Sequence, residues 1–469
     1  NILSHFKVDT KLDITSSESD NAEAYALYLR AKSIYENRKN IDEIEIVQAL
    51  IKKTIELDDD FIPAKYLLGN LYAQMGELEK AMEVYTVTLT KCQEVGDKSG
   101  RAYTLMEIGK IYRSQGNLDK SLDFYNRSLI LREQLVDKRI VGSSLIDIGY
   151  IYMNMGDNDK ALNYFKRSLT ISEELGDSSE ISNKLSAVAH AYLEKGNYGK
   201  SLEHYKKSLA IYEELGEKSS IAPILEKIGS LYALKRNFDE ALDYFKRIFL
   251  IKESLDDNHG MGSALHNIGM VNAYKGDLDT ALGNFEKSLS ISEKLGEKYS
   301  IVRILADIGS LYTLKGNFDE ALVYFERSLS ISEKLGEKYG IGFSLADIGN
   351  IYYNNGDYKN AEEYLEKSFA IHKDMGHLEL KTSTSLYLTY KHLGKDYDVN
   401  QIHRLIKDAE DIEFEVNFRI SELLEDKSYL ETAYNQVQEN ASAMDDGKKY
   451  LSYPIPKTIV EEYKKVFKK

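Results

Sequence analysis

The chain has 469 residues, 43% hydrophobic and 29% charged, with only 4 Pro, so it can bury a core and is neither disordered nor collagenous. Its single Cys, Cys92, excludes a disulfide framework and a Cys-based zinc cluster, and no apolar run approaches the roughly 18–20 residues that span a bilayer. The 61 Lys and Arg against 76 Asp and Glu leave a net charge of −15, which repels duplexes and anionic membranes, so neither nucleic acid nor membrane is expected as a partner.

The first residue is Asn and no signal-peptide pattern comes after it, so a processed chain or, as the favoured reading, a piece of a longer protein is expected, in the cytoplasm. Residues 1–21 show no periodic pattern and read as a connector or the end of a preceding domain. From 62 to 381 a 40-residue unit runs through eight copies without insertion, and residues 22–61 read as a divergent first copy of the same unit. Gly recurs at 69, 109, 149, 229, 269, 309 and 349, with Ala189 in the remaining copy. Tyr stands three residues later in every copy but one, where Asn272 replaces it. A second Gly comes at 76, 116, 156, 196, 276, 316 and 356, with Arg236 as the exception. Four residues after a small residue (Ala321, for example) comes Tyr85, Tyr125, Phe165, Tyr205, Phe245, Phe285, Phe325 or Leu365.

Each recurrence has a physical reading. Leu305, Ile308, Gly309 and Tyr312 fall at i, i+3, i+4 and i+7, one stripe of a first helix. Gly costs about 1 kcal/mol there relative to Ala, so its return implies a neighbour too close for a Cβ. The second Gly suits the left-handed residue that ends a helix. Asn237-Phe-Asp-Glu240 and Asn317-Phe-Asp-Glu320 read as capping boxes opening a second helix. That helix carries Ala321, Leu322, Phe325 and Leu329 inward and charge pairs such as Asp123/Arg127 and Glu203/Lys207 outward, and ends at Gly176, Gly216, Gly296 or Gly336. Pro63 and Pro223 share one phase, read as the first turn of the first helix.

After 381 the period fails. Helical segments near 382–394, 398–411, 414–425 and 428–443 read as a divergent cap. The last stretch holds Ile459, Val460, Tyr463, Val466 and Phe467 on one face of a Lys-rich amphipathic helix that either folds back onto the acidic array, the favoured reading, or reaches a partner.

No catalytic motif appears: there is no Gly-rich phosphate loop, His-Glu-x-x-His, Gly-x-Ser-x-Gly or EF-hand loop. His259 and His266, seven apart, read as ordinary surface residues, and Cys92 as a passive, partly buried one. Acidic runs at Asp58-Asp59-Asp60, Asp256-Asp257 and Asp445-Asp446 read as turns. No enzyme, cofactor or metal is expected.

The unit resembles the tetratricopeptide repeat, with its small residue and Tyr on helix A and its Ala and aromatic on helix B. The 40-residue length is similar to the arrays of kinesin light chain and of spindle-orientation adaptors. The resemblance implies an all-α solenoid of nine or ten helical hairpins in a right-handed superhelix, with helix A lining a concave groove. It further implies that the second, fifth, sixth, ninth and twelfth residues of each unit face inward. The sixth are Leu67, Glu107, Asp147, Ala187, Lys227, Asn267, Asp307 and Asp347. The ninth include Asn70, Lys110, Tyr150, Met270 and Asn350, and the twelfth Arg113, Met153 and Tyr353.

The chaperone-type carboxylate clamp is absent, because Tyr66, Glu107, Ser143 and Asp147 stand where it needs amides and cations. The Asn ladder of the 40-residue adaptors fits only Asn267 and Asn350, since Glu107, Asp147, Asp307 and Asp347 offer acceptors alone. Two readings stay open. In one, the groove holds a basic, partly apolar segment against Tyr150, Met153, Met270 and Tyr353. In the other, the acids only keep the groove soluble. The expected function is a non-catalytic protein-interaction scaffold that binds a protein or peptide. The alternative comes from the start of the array, Glu23 to Leu29, which is similar to bacterial signalling proteins. It is the sensor or regulatory half of a larger signalling enzyme of nucleotide cyclase or kinase type, or of a transcription regulator. Terminal repeats invite stacking, so self-association through the ends or the Lys-rich tail is a further expectation.

Overall fold

Two contacts, one between side chain and glycine and one between side chain and carbonyl, recur along the chain and set the spacing of its helices. The computed structural model describes residues 21–37, 42–135, 138–409, 411–444 and 447–467, and these contain 24 helices and no strand. Of the expected connector at 1–21 all but Asn21 lies outside them, as does the turn at Asp445-Asp446. The chain falls into two compact units, one up to Glu217 and one from Lys218.

The first unit holds five helix pairs: α1 (Ala22–Asn37) with α2 (Asp42–Leu57), α3 (Ile62–Gln74) with α4 (Leu78–Glu94), α5 (Lys98–Ser114) with α6 (Leu118–Gln134), α7 (Lys138–Asn154) with α8 (Asn158–Leu175), and α9 (Ser178–Glu194) with α10 (Tyr198–Leu215). The second unit continues with α11 (Lys218–Leu234) and α12 (Phe238–Ser254), α13 (Asn258–Lys275) and α14 (Leu278–Leu295), α15 (Lys298–Lys315) and α16 (Phe318–Leu335), and α17 (Lys338–Asn354) and α18 (Tyr358–Asp374). It ends in α19 (Leu380–Leu393), α20 (Val399–Asp408), α21 (Phe414–Leu424), α22 (Lys427–Ala443), the single turn α23 (Gly447–Tyr450) and α24 (Pro454–Phe467). No described helix is long and apolar enough to cross a membrane.

The recurring helix-A glycine lies under the aromatic ring of its own helix B or, at Gly349, under Leu365. A Cβ at Gly109, Gly229, Gly269 or Gly309 would stand 2.6–3.1 Å from the ring of Tyr125, Phe245, Phe285 or Phe325, and the ring contacts at Gly69 and Gly149 are closer still. In the fourth copy Ala189 and Tyr205 are both buried, so one methyl is accommodated there. Around this contact a small serine ties the helices together. Ser128, Ser168, Ser208, Ser288 and Ser368 each donate from Oγ to the carbonyl 26 residues earlier on helix A, at 2.6–2.9 Å.

The abundance of Tyr reflects a second stack on the same pair. Tyr152 lies on Tyr164, Tyr232 on Tyr244, Tyr312 on Tyr324 and Tyr352 on Tyr364, with centroids 5.4–5.5 Å apart. Where Asn272 replaces the helix-A Tyr, the facing helix-B residue is Asn284, so both rings are lost together.

Helix ends agree with the glycine pattern. The inter-helix glycines adopt φ of +67° to +87°, and Arg236 takes +58° where Gly is missing. Two details differ from expectation. Asn117, Asp157, Asn197, Asp277 and Asp357 accept a backbone N–H as N-caps, but Asn237 and Asn317 do not. Their backbone angles match those of Asn197, so the difference lies in the side-chain torsion. Pro223 sits in the second turn of α11, not the first, because that helix starts at Lys218, whereas α3 starts only at Ile62, after the turn at Asp59-Asp60. Cys92 is fully buried and its Sγ lies 3.2 Å from Tyr66 Oη.

Gly309→Ala is expected to lower stability by about 1–2 kcal/mol, overpacking against Phe325 outweighing the gain in helix propensity. Chemical denaturation checks this, and a stabilised variant would mean that the ring has room to move.

Candidate interaction groove

In the first unit the helix-A positions not used for packing collect charge. On α5, Lys110 Nζ lies 2.7 Å from Glu107 Oε1, and the Glu107 side chain is 12% exposed. Asp147 on α7 makes no hydrogen bond or ion pair within the described residues. Burial pushes its carboxyl above the ordinary range, against the pull of Arg113, Lys110 and Arg132. Tyr150 packs edge-on against Phe165 at 5.0 Å, and Met153 joins the same apolar cluster. Glu107, Lys110, Arg113 and Asp147 thus share one electrostatic neighbourhood, flanked by Tyr150 and Met153.

The ring that covers each glycine also reaches this face. Tyr85 Oη donates to Asn70 Oδ1 at 2.5 Å, and Asn70 Nδ2 donates to Tyr103 Oη at 2.9 Å. In the next repeat the ninth residue is Lys110, which accepts nothing, and the buried Tyr125 Oη finds no partner among the described residues.

The second unit is different, because its own C-terminal helices occupy these positions. Met270 and Ala273 pack into a cluster with Phe414, Phe418, Ala433, Val437 and Ile459. Arg419 of α21, 3% exposed, donates from Nη1 to Asn350 Oδ1 and Ser385 Oγ and from Nη2 to Asn354 Oδ1 at 3.1 Å. It pairs with Glu415 at 2.8 Å and lies over the Tyr353 ring at 5.1 Å. Met444 crowds Gly276 and Pro454 crowds Gly316, while Arg236 Nη2 donates to Asn440 Oδ1 at 3.0 Å. The Lys-rich tail folds back through Ile459 onto α22 and α15, and Lys449 adds a 3.4 Å pair with Asp279.

The tetratricopeptide repeat family matches residues 61–134, 141–214, 220–294 and 300–374, more than half of the chain. The chain belongs to the tetratricopeptide repeat family. No curated protein sequence matches it at a significant level. Among solved structures, a signal transduction ATPase with numerous domains and a tetratricopeptide repeat sensor, from Pyrococcus horikoshii, is similar at 14% identity and TM-score 0.54, over 78% of this chain and 54% of its own. This chain therefore spans about half the length of that protein. Aspartyl phosphate phosphatase F from Bacillus subtilis is similar at 15% identity and TM-score 0.47, over 77% and 96%. BtubC from P. vanneervenii is similar at 17% and 0.43, over 47% and 92%. These likenesses are ones of fold.

Within this tetratricopeptide array, several residues expected to await a partner are already engaged. Asp307 Oδ2 lies 2.6 Å from His266 Nε2 on the preceding helix A, so His266 is a buried groove residue and not an ordinary surface one. His259 lies 2.5 Å from Glu297, and no group of three metal-ligating side chains occurs among the described residues. Met270, Asn350 and Tyr353 contact the chain's own C-terminal part, while Asn267 is half-buried on α13. Arg419, Glu415, Ser385 and Asn354 were not foreseen. The legible signal was Glu415-x-x-x-Arg419 interleaved with Phe414-x-x-x-Phe418, a charge pair one turn apart beside an aromatic pair one turn apart.

Burial pushes Asp347 up to about 6 from 3.8, Glu415, Glu379 and Asp307 adding to this and Lys381 opposing it. Below the ordinary value the carboxyl is neutral in both folded and unfolded chains. Above the raised value the folded chain holds a charge that its surroundings disfavour. Asp347→Asn should therefore raise the melting temperature at about pH 7–8, the gain fading as pH falls through about 6 towards 4. Thermal melts across that range check this; a loss of stability at neutral pH would show the charge to be favourable. Arg419→Met leaves Glu415 buried without its partner and should cost about 3–5 kcal/mol, with the Arg419→Met/Glu415→Gln double variant recovering part of it. Denaturation of both variants against the parent checks the coupling.

Proposed function

We propose that this tetratricopeptide protein is a non-catalytic, cytoplasmic interaction scaffold that holds a polypeptide segment of a partner protein along the helix-A positions of its first unit. One observation carries this reading. In the second unit the equivalent positions, Asn350 and Tyr353, bind a polypeptide segment, the chain's own α21, through an arginine. The first unit offers Glu107, Lys110, Arg113, Asp147, Tyr150 and Met153 at the same phase of the repeat, and no described helix covers them in the same way. The acids at Glu107 and Asp147 favour a segment with basic residues. Half-exposed charge contacts contribute about 0.2–1 kcal/mol each, so affinity comes from several together and weakens with salt.

A second reading, the sensor or regulatory half of a larger signalling enzyme or transcription regulator, draws on the likeness of fold to the repeat sensor of the Pyrococcus ATPase. The same groove would serve it.

The experiment is capture from lysate on the whole chain at low and high salt, beside Asp147→Lys and Arg113→Glu baits, with mass spectrometry of what is retained. A protein held by the parent and lost from both variants and at high salt is the expected outcome. Equal retention on all three baits would remove the first-unit groove as the site.

A further inference from the structure

The B helices carry a second periodic feature, apart from the groove. Tyr192, in the last turn of helix A of the fourth copy, has two lysines at its ring. Lys166 Nζ from α8 lies 5.3 Å from the centroid, and Lys200 Nζ from α10 lies 5.4 Å from it. The ring attracts each ammonium, so both are held there. Two like charges therefore stand no further apart than those two distances together. Both lysines are exposed, and neither has an ion pair among the described residues. The cations around them are already compensated within the chain: Arg167 pairs with Glu133 at 3.6 Å, Lys195 with Asp159, and Lys207 with Glu203 at 2.7 Å.

Three repeats later the same three positions are Glu286, Tyr312 and Glu320. The ring is kept, and it is seated alike: Tyr312 lies on Tyr324 at 5.5 Å, as Tyr192 lies beside His204 at 5.3 Å. Both lysines have become glutamates, again exposed and without an ion pair among the described residues. No other copy carries two like charges at these positions; Tyr152 has Asn126 and Lys160, and Tyr232 has Lys206 and Glu240. Because one repeat builds both sites, the two carboxylates of the second unit are spaced as the two ammoniums of the first. Surface relief agrees with charge. Beside Lys166 a shallow cleft of about 400 Å³ is lined by Leu162, Asn163, Arg167 and Thr170 of α8. On α16, one turn after Glu320, Val323 projects with 62% of its surface exposed.

We propose that the chain associates with a second copy of itself through these faces, Lys166, Tyr192 and Lys200 of one copy against Glu286, Tyr312 and Glu320 of the other. The two ammoniums meet the two carboxylates, and Val323 enters the cleft on α8. This contact uses the B helices, and it stands or falls independently of the groove. The net charge of −15 opposes approach from a distance. At about 0.15 M salt that repulsion is screened beyond about 8 Å, whereas charges apposed in a covered interface keep most of their attraction.

The experiment is sedimentation velocity of the whole chain at about 0.15 M salt, in a concentration series up to about 0.5 mM. Lys166→Glu/Lys200→Glu makes both faces acidic, Glu286→Lys/Glu320→Lys makes both basic, and the four changes together exchange the two signs. Circular dichroism verifies that each variant keeps its helices. The weight-average mass of the parent should rise with concentration, and each double variant should weaken the association about tenfold or more. The two double variants mixed together, and the fourfold variant alone, should recover affinity near that of the parent. A parent that stays monomeric through the series would overturn the proposal. So would association unchanged in both double variants, which would move the contact to the ends of the array or the Lys-rich tail. Loss in the double variants without recovery in the mixture or the fourfold variant would show that these lysines and glutamates do not meet, and would overturn it as well.

Discussion

The structure depends on one contact, a helix-B side chain, aromatic in all but one repeat, packed against helix A at a residue that lacks a Cβ in all but one repeat. Burying the ring contributes about 1.5–3 kcal/mol, and the glycine beneath it gives back about 1. The contact brings the two helices close enough for Ser128 and its counterparts to reach a carbonyl on the facing helix. It also decides what emerges on the far side. Tyr85 and Tyr125 pass a hydroxyl over the glycine toward the groove, whereas Phe245, Phe285 and Phe325 in the second unit pass none. A single choice between Tyr and Phe at a core position therefore changes the polarity of a surface that this residue does not itself form.

Periodicity made the fold legible because each repeat is stabilised by contacts within itself and with its neighbour, so equal spacing in sequence is equal spacing in space. The glycines at helix ends were legible for the same reason, since only a positive φ explains their phase. Local details were less so. Pro223 was misplaced because the start of α11 depends on the turn before it, and the caps at Asn237 and Asn317 fail through side-chain torsion at an ordinary backbone. The serine ladder was present in the letters but had no evident role until the carbonyls 26 residues earlier came into view.

The groove was legible only as far as the repeat extends. Family resemblance named the helix-A positions, but could not show that His266 reaches Asp307 or that residues after 381 lie across α13, α15 and α17. Those helices carry no period, and their contacts join residues far apart in the chain, where spacing rules say nothing. The two units thus use one repeat in two ways: in the second, binding positions serve as internal packing, while in the first they retain uncompensated charge and an orphaned hydroxyl.

This difference has a consequence for how the chain folds as it is made. Side-chain hydrogen bonds of the first unit such as Asn21 to Leu57 and Asn158 to Glu194 span 36 residues, so each repeat has its partners soon after synthesis. In the second unit Arg236 meets Asn440 across 204 residues and Asp279 meets Lys449 across 170. Until α21–α24 leave the ribosome, Met270, Ala273 and Tyr353 remain wetted apolar surface, open to chaperones and to neighbouring chains. A premature stop before Phe414 would make that interval permanent, so about the last eighth of the polypeptide governs whether the second half escapes aggregation.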